Sequence, residues 1–469
     1  MNVMCVPRSK GFVLFVLVAG SYLSIVYLAT IFLIVKNNSE IDRQPVYSTK
    51  KNFQENDVSA TNTQWQKLGR VTYVFSAYLD NRNPDLDVIT VMGFDSHSEP
   101  LVNGTLLFHS GERIPLGRCK EKRALHALGS LEHLQPYAYL WPLPAQVTNS
   151  AYLNLTSILI EQFHQLAETT EAEIKIRLPA VSSTKTFGVC LNSPIFGPVK
   201  AVTVIEYIEI NKVLGAEWFT FYIFKADQTV IKVLQEYTSE GMVEVIWNWS
   251  ESLPKKSIPH YGQVLSINEC AYRNINKVKY LVYTDLDEFI LPRKSIGWSE
   301  MMKQIENDKY GSYMFRNAFF FEINNNSEID AGESEVGFTD NGTCRVKLPK
   351  ILTHRFRSSK VWDVGRRSKY IKNLLCPGIL LVHQVRHQQT CRRYVVSPDY
   401  ALLNHYRKFR KLPFQEHLIR HQRIPDEHAI VYKEKIVEAL NRRLCPLQSV
   451  PSVATNTSEN ILGINVTYI

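Results

Sequence analysis

No two of the eight cysteines in this 469-residue chain stand at Cys-x-x-Cys spacing, which argues against a zinc ribbon or a thioredoxin-like dithiol. Internal repeats are missing as well, so the chain does not read as a solenoid. Nor are its basic residues gathered into an aromatic-interleaved stripe. The formal net charge is +9, but 54 lysines and arginines are scattered among 45 carboxylates, and nucleic acid is not the expected partner. One stretch lacks charge altogether. Gly11 to Val35 holds no Asp, Glu, Lys or Arg, and about 25 residues suffice to cross a hydrocarbon core with some tilt. The segment is too long for the apolar core of a signal peptide, and no small-residue cleavage site comes cleanly after it. Arg8 and Lys10 precede it, whereas Lys36, Glu40, Asp42 and Arg43 nearly cancel behind it. The expectation is a cytosolic tail over 1–10, a retained anchor over 11–35 and everything later across the membrane, a single-pass type II topology.

The residues beyond the anchor fit an oxidising, glycosylating compartment. Asn-x-Ser/Thr acceptors stand at Asn37, Asn103, Asn154, Asn248, Asn325, Asn341, Asn456 and Asn465. Asn37 lies too near the bilayer for use, and burial between two tryptophans is expected to shield Asn248. The candidate sites are therefore Asn103, Asn154, Asn325, Asn341, Asn456 and Asn465. Seven cysteines come after the anchor, from Cys119 to Cys445, in a setting where disulfides persist. An odd number leaves at least one thiol free or paired with another chain, which makes a homodimer plausible.

A hydrophobic share of 45% with 11% aromatics fills a large core. Residues 36–68 are rich in Asn, Gln, Ser, Thr and Lys and read as a stem linker. Residues 448–469 read as a loosely held C-terminal tail. Over 69–185 short strands such as Val71 to Leu79 and Leu106 to His109 point to a β-rich subdomain, with one helix expected around Ile158 to Ala172. From 186 to 447 the pattern alternates. Val199 to Ile210 contains strand-like apolar residues and Lys212 to Leu214 could end a helix, Trp218 to Phe224 and Val243 to Trp247 read as strands, and Asp227 to Ser239 and Gln263 to Arg273 read as helices. Such alternation predicts an α/β domain with a mainly parallel sheet flanked by helices.

Within that domain Tyr280-Leu281-Val282-Tyr283-Thr284 runs into Asp285-Leu286-Asp287-Glu288. A buried strand that ends in carboxylates delivers them to the open edge of a sheet, where ligands of α/β proteins sit. Side chains at i and i+2 of an extended segment share a face, so Asp285 and Asp287 can converge on one cation while Glu288 faces away. Two hard oxygens suit Mg²⁺ or Mn²⁺ and leave coordination sites for phosphate. Such a metal assists the departure of a nucleoside diphosphate. An isolated Asp-x-Asp is also common in solvated turns, and the flanking apolar segments are what favour a site here.

Four motifs then carry a resemblance: Ser76-Ala77-Tyr78-Leu79-Asp80-Asn81-Arg82, Cys190-Leu191-Asn192-Ser193-Pro194-Ile195-Phe196-Gly197, Ile267-Asn268-Glu269-Cys270-Ala271-Tyr272-Arg273 and Asp285-Leu286-Asp287-Glu288-Phe289. In this order the chain resembles glycosyltransferase family 92. The resemblance implies a GT-A-like fold, a Golgi membrane location, Mn²⁺ as cofactor and inverting β-1,4 transfer of galactose from UDP-galactose. The acceptor it implies is an N-glycan, at a terminal galactose or the core fucose.

Inversion needs a group that takes the proton of the attacking hydroxyl. Glu322, at the end of the apolar run from Phe315, is the candidate base, with Asp363 and Glu288 behind it; an ordinary surface acid is the plainer reading of Glu322. His383 emerges from Ile379-Leu380-Leu381-Val382 and either completes the metal site, as a downstream histidine does in GT-A enzymes, or is a satisfied structural residue. Arg355 opens a basic patch with Arg357, Lys360, Arg366 and Arg367 that reads either as a diphosphate contact or as a solvated loop. Lys369, in a Lys369-Tyr370-Ile371 segment that also resembles the family pattern, joins Asp285 and Arg355 as a candidate donor contact. Trp247 and Trp249 either stack on an acceptor sugar or fill the core. An anchored lectin and a glycosidase with two opposed carboxylates are the competing functions.

Overall fold

The computed structural model describes residues 64–83, 85–96, 102–126, 134–145, 147, 154–163, 169–180, 185–254, 257–321, 336–338, 344–387, 391–406, 423–445 and 466–468. The apolar stretch 11–35, Glu322 and the acceptors Asn325, Asn341, Asn456 and Asn465 lie outside these residues. Among the described residues no helix is long and apolar enough to cross a membrane. All of them belong to one compact unit, Thr63–Ile469.

The first part of this unit is a nine-stranded sheet, almost wholly antiparallel. Its strands are β1 (Tyr73–Asp80), β2 (Val88–Asp95), β3 (Asn103–Phe108), β4 (Arg113–Arg118), β5 (Glu121–Ala124), β6 (Gln135–Pro142), β7 (Leu155–Phe163) and β8 (Thr169–Arg177), with Gln66–Lys67 paired at the side of β1. The helix expected over Ile158 to Ala172 is instead the hairpin of β7 and β8, Ser157 facing Lys175 and Phe163 facing Thr169. The apolar run Ile158-Leu159-Ile160 is ambiguous between a buried strand and a helix by itself. The strict alternation of Glu171-Ala172-Glu173-Ile174-Lys175-Ile176, with only Ala172 and the isoleucines buried, decides for strand.

The second part is the α/β region: β9 (Lys185–Leu191), α1 (Ala201–Leu214), β10 (Trp218–Tyr222), α2 (Gln228–Ser239), β11 (Val243–Ile246), α3 (Gln263–Arg273), β12 (Val278–Thr284), β13 (Glu288–Pro292), α4 (Gly297–Ile305), β14 (Tyr310–Phe315), β15 (Asn317–Phe321), β16 (Phe356–Ser358), β17 (Lys369–Asn373), β18 (Arg392–Val395), β19 (Ala401–His405), β20 (Arg423–Pro425) and α5 (Lys433–Leu444). A seven-stranded sheet runs β11-β10-β9-β12-β17-β14-β18. It is parallel through β12, but β17 pairs antiparallel with both β12 and β14. The sheet is thus mixed rather than mainly parallel. Both antiparallel pairings are made by β17, which inserts between β12 and β14 from far along the chain, after the intervening α4 and the strands of the second sheet. A five-stranded sheet, β13-β19-β15-β16-β20, sits beyond it.

The segment with strand-like residues, Val199 to Ile210, is the helix α1. Its β-branched residues misled because α1 is buried around most of its girth, including Val202, Val204, Ile205, Tyr207, Ile208 and Ile210, and so shows little amphipathic periodicity. The final strand, Val466–Tyr468, pairs in parallel with Val336–Phe338. The end of the tail therefore returns to the fold.

Two of the four family-like motifs build the seam between the two parts. Tyr78 on β1 and Tyr222 on β10 both donate their hydroxyls to Glu269 of α3. Arg273 closes on the same carboxylate, with Nε to Oε2 at 3.0 Å, and reaches Glu244 at 2.8 Å through Nη1. Arg82 pairs with Asp80 at 2.7 Å and donates to the Leu374 carbonyl at 3.2 Å. Cys270 is bonded to Cys190, so α3 is also tied covalently to β9.

Two further disulfides, Cys344–Cys445 and Cys376–Cys391, use four of the other cysteines. The odd thiol is Cys119, buried in the core of the first sheet. A buried thiol offers no bridge to a second chain, so it gives no support to a homodimer.

Candidate active site

β12 is buried at every position but Lys279, as a central strand rich in Val, Leu and Tyr should be. It ends at Thr284. The hydroxyl of Tyr207, on α1, lies 2.8 Å from the Thr284 hydroxyl, and the Asn192 amide donates to the Thr284 carbonyl at 2.9 Å. Residues 285–287 then turn the chain into β13, closed by the Glu288 amide donating to the Asp285 carbonyl at 3.0 Å.

The three acids of this turn have different surroundings. Asp285 and Asp287 keep 33% and 45% of their side-chain surface open, whereas Glu288 keeps 3% and points into the protein. Beneath them Lys369, fully buried, sets its ammonium 2.7 Å from Asp285 Oδ2 and 3.5 Å from Glu288 Oε2. His405 stands between the other two, with Nε2 3.3 Å from Asp287 Oδ2 and Nδ1 3.3 Å from Glu288 Oε1. Asn192 adds a hydrogen bond from Nδ2 to Asp285 Oδ1 at 3.4 Å. Two open carboxylates are thus braced from below by one lysine, one histidine and one amide.

The electrostatics result from this bracing. Burial penalises the Asp287 anion, but the hydrogen bond and charge of His405 outweigh it and hold its pKa below the usual carboxylate range. Burial also opposes the charged form of His405, yet Asp287 and Glu288 together raise its pKa. For Glu288 burial wins: despite Lys369, its pKa rises to about 7. The folded protein therefore holds a proton at Glu288 that the unfolded chain has released once pH passes 4.5, the ordinary value. Protons bound more tightly by the folded state stabilise it at lower pH. Taken alone, Glu288 makes stability fall as pH rises from about 4.5 to about 7, whereas His354, His383 and His387, which burial lowers to about 4, act in the opposite sense over the same range. The share of Glu288 is read as a difference: the stability of the wild type relative to Glu288→Gln should fall across this range in urea midpoints, and a constant difference would contradict it.

Lys369 has no access to a phosphate while it is fully buried against two carboxylates. Its removal leaves Asp285 and Glu288 without their cation, but Glu288 can respond by protonating. We therefore expect Lys369→Met to cost about 1–3 kcal/mol of stability, less than an orphaned buried charge that cannot neutralise. Chemical denaturation of the variant measures this.

The other sequence candidates fall in several places. His383 comes after the short strand Gly378–Leu380 and lies close enough to Asp285 and Lys369 to feel both charges; burial first, then Lys369, lower its pKa to about 4. Its Nδ1 is 3.2 Å from the Ser368 carbonyl, which can only accept. Nδ1 then carries the proton, and the neutral ring presents Nε2 as its lone-pair nitrogen. Arg355 is exposed and pairs with Glu427 at 3.4 Å. Arg357 donates to Asp426 at 2.7 Å, an acid that Arg293 also engages, so much of the basic patch is matched inside the protein. Asp363 is exposed in the loop after β16. Trp249 is fully buried against Phe75 and Tyr222, whereas Trp247 is 36% exposed. Asn248, expected to be shielded between them, is itself exposed, with φ at 55°. Of the acceptors described, Asn154 is exposed and Asn103 half-buried at the start of β3.

Among the described residues no three of His, Cys, Asp and Glu form a ready-made metal cage. The donor chemistry fits a divalent cation nonetheless: two partly open carboxylates on one turn, with a neutral imidazole in electrostatic reach of one of them.

Sequence reasoning missed His405, Asn192 and Tyr207 as parts of this site. His405 ends the run Ala401-Leu402-Leu403-Asn404, the same pattern that singled out His383. Asn192 stood inside a quoted motif without a role. Tyr207 carries no signal of its own inside an apolar stretch.

The sequence model of glycosyltransferase family 92 matches residues 185–440, more than half of the chain. The chain belongs to glycosyltransferase family 92. The family 92 region thus begins at β9, and β1 to β8 lie outside the match. The beta-1,4-galactosyltransferase galt-1 of Caenorhabditis elegans is 24% identical over 106 residues, 22% of this chain and 25% of that protein. The match spans about a quarter of that relative's length. Among solved structures, S. aureus TarS 1–349 aligns with a TM-score of 0.21 at 7% identity, covering 47% of this chain and 60% of that one. A likeness that slight bears on neither fold nor function.

Proposed function

We propose that this glycosyltransferase uses Asp285 and Asp287, with His383, to hold Mn²⁺ or a similar cation against the diphosphate of a UDP-sugar. The observation that carries the reading is the pair of partly open carboxylates at the carboxyl end of β12, braced by Lys369 and His405. A cation bound there would offset the charge developing on the departing nucleoside diphosphate. Asp287 is the better ligand of the two, since Asp285 Oδ2 already faces Lys369. The bracing residues keep Asp287 ionised and fix both carboxylates in place, which lowers the cost of ordering them when donor binds.

The donor we propose is UDP-galactose, transferred with inversion in a β-1,4 linkage to a galactose or core fucose of an N-glycan. Its supports are the resemblance of the motifs and the name of the partly matching nematode relative. A type II anchor at 11–35 and a Golgi location go with it, supported by the uncharged stretch, the acceptor sites and three disulfides. Membership of a transferase family leaves no support for the lectin and glycosidase readings.

Glu322 remains our choice of base. Its support is the sequence alone, a carboxylate closing the apolar run from Phe315. Glu288 is buried and committed to Lys369 and His405, and so is not placed to meet an acceptor. Asp363 remains behind Glu322. A panel of UDP-sugars tested against an array of N-glycans examines donor and acceptor together. We expect UDP-galactose to label galactose- or fucose-terminated acceptors; exclusive use of another UDP-sugar would overturn the choice of donor.

A further inference from the structure

A cavity of about 380 Å³ opens beside His383, and part of its wall comes from the sheet that precedes the family 92 region. Phe94 of β2, Pro136 of β6 and His126 line one side; His260, Gln263 and Val264, at the start of α3, line the other. The two sides are pinned together. The Leu134 amide donates to the Ser257 carbonyl at 2.8 Å, and Gly262 packs so closely on Phe94 that an added Cβ would stand 3.1 Å from its ring. The cavity also communicates with the acids: Gln263 Nε2 donates to the Asn192 carbonyl at 3.0 Å, and Asn192 Nδ2 reaches Asp285.

Three features describe what this cavity suits. Its lining holds no Asp, Glu, Lys or Arg, so it is not built for a diphosphate. Among the described residues Nδ1 of His126 is buried with no hydrogen-bond partner, a polar atom left for a ligand to satisfy. His260 and Tyr261 hold consecutive left-handed conformations, φ 49° and 54°. Backbone strain of this kind clusters at functional sites. That backbone is held in place by Trp249 Nε1 and Ser250 Oγ, which donate to the Tyr261 carbonyl at 2.9 Å and 3.2 Å. Apolar faces with a few hydrogen-bonding imidazoles and an amide are the usual lining of a site for a neutral ring.

We propose that this cavity seats an uncharged, hydroxyl-bearing ring of a substrate, and that the N-terminal sheet, through His126 and Phe94, sets its specificity. The ring is either the nucleoside of the donor or a sugar of the acceptor. The inference rests on the transferase reading above for its kinetic test, but a binding test stands apart from it. In kinetics of the full chain, His126→Ala should raise KM for one substrate by about three- to tenfold, the worth of one hydrogen bond, with kcat little changed. A rise confined to donor KM identifies the nucleoside, and one confined to acceptor KM identifies the sugar. Val264→Phe, which fills the cavity from the opposite wall, should do the same and decides the matter if His126→Ala does not fold. Saturation-transfer NMR with uridine and with methyl β-galactoside supplies the independent readout: one probe should bind the wild-type chain, and both variants should bind that probe more weakly by about the same factor. Unchanged KM values in the folded variants, or no binding of either probe, would overturn the proposal. Binding of a probe by a chain that uses only another UDP-sugar would instead leave the cavity assignment standing and refute the choice of donor.

Discussion

Asp287→Asn is expected to lower kcat/KM for sugar transfer by about 10²- to 10³-fold, corresponding to the several kcal/mol that a bound cation contributes to a charged transition state. The variant should fold as well as the wild type. Asp287 is 45% exposed, and an asparagine oxygen can still face His405 Nε2, so little stability depends on its charge. Asp285→Asn should differ in kind. It removes the charge 2.7 Å from a fully buried Lys369 and should lose both activity and stability, because half of the cation's compensation goes with it. Comparing the two variants separates ligation from bracing. Equal activity in wild type and Asp287→Asn, measured at saturating cation, would remove Asp287 from the mechanism.

The second large effect concerns the seam rather than the chemistry. Glu269→Ala should destabilise the fold by about 3–5 kcal/mol, the usual cost of breaking a buried ion pair from one side. Burial opposes the Glu269 anion, but Arg273 and the two tyrosine hydroxyls outweigh it and keep its pKa low. Its loss orphans the hydroxyls of Tyr78 and Tyr222 and leaves Arg273 with Glu244 alone. Glu269→Gln, which keeps the hydrogen-bond acceptor and loses the charge, should fall between. Urea unfolding monitored by tryptophan fluorescence reads the series, since Trp249 packs on Tyr222 at this seam. A Glu269→Ala variant of wild-type stability would show that the two parts of the unit are held by apolar contacts alone.

The acid turn was legible because its signal is local: a continuous apolar strand, then carboxylates, with the i and i+2 rule separating Asp285 and Asp287 from Glu288. The bracing was not legible, since Lys369 and His405 arrive from strands 84 and more than a hundred residues further on, and pairing over that distance leaves no mark in composition. Two of the four family-like motifs carried no role that sequence could assign, and the fold supplies one: Ser76–Arg82 and Ile267–Arg273 satisfy one another in a buried seam. The helix misread over Ile158 to Ala172 and the strand-like reading of α1 share one cause. Buried segments lose the contrast between faces on which periodicity depends, and there only context decides.

The central claim is that Asp285 and Asp287 serve transfer by holding a divalent cation. The most direct measurement is galactose transfer from UDP-galactose to an N-glycan acceptor by the full chain, first stripped with EDTA and then titrated with Mn²⁺. We predict no transfer after chelation, recovery as Mn²⁺ is restored, and little recovery in Asp287→Asn at any cation concentration. Transfer that persists undiminished in EDTA, or that Asp287→Asn supports as well as the wild type, would contradict the claim.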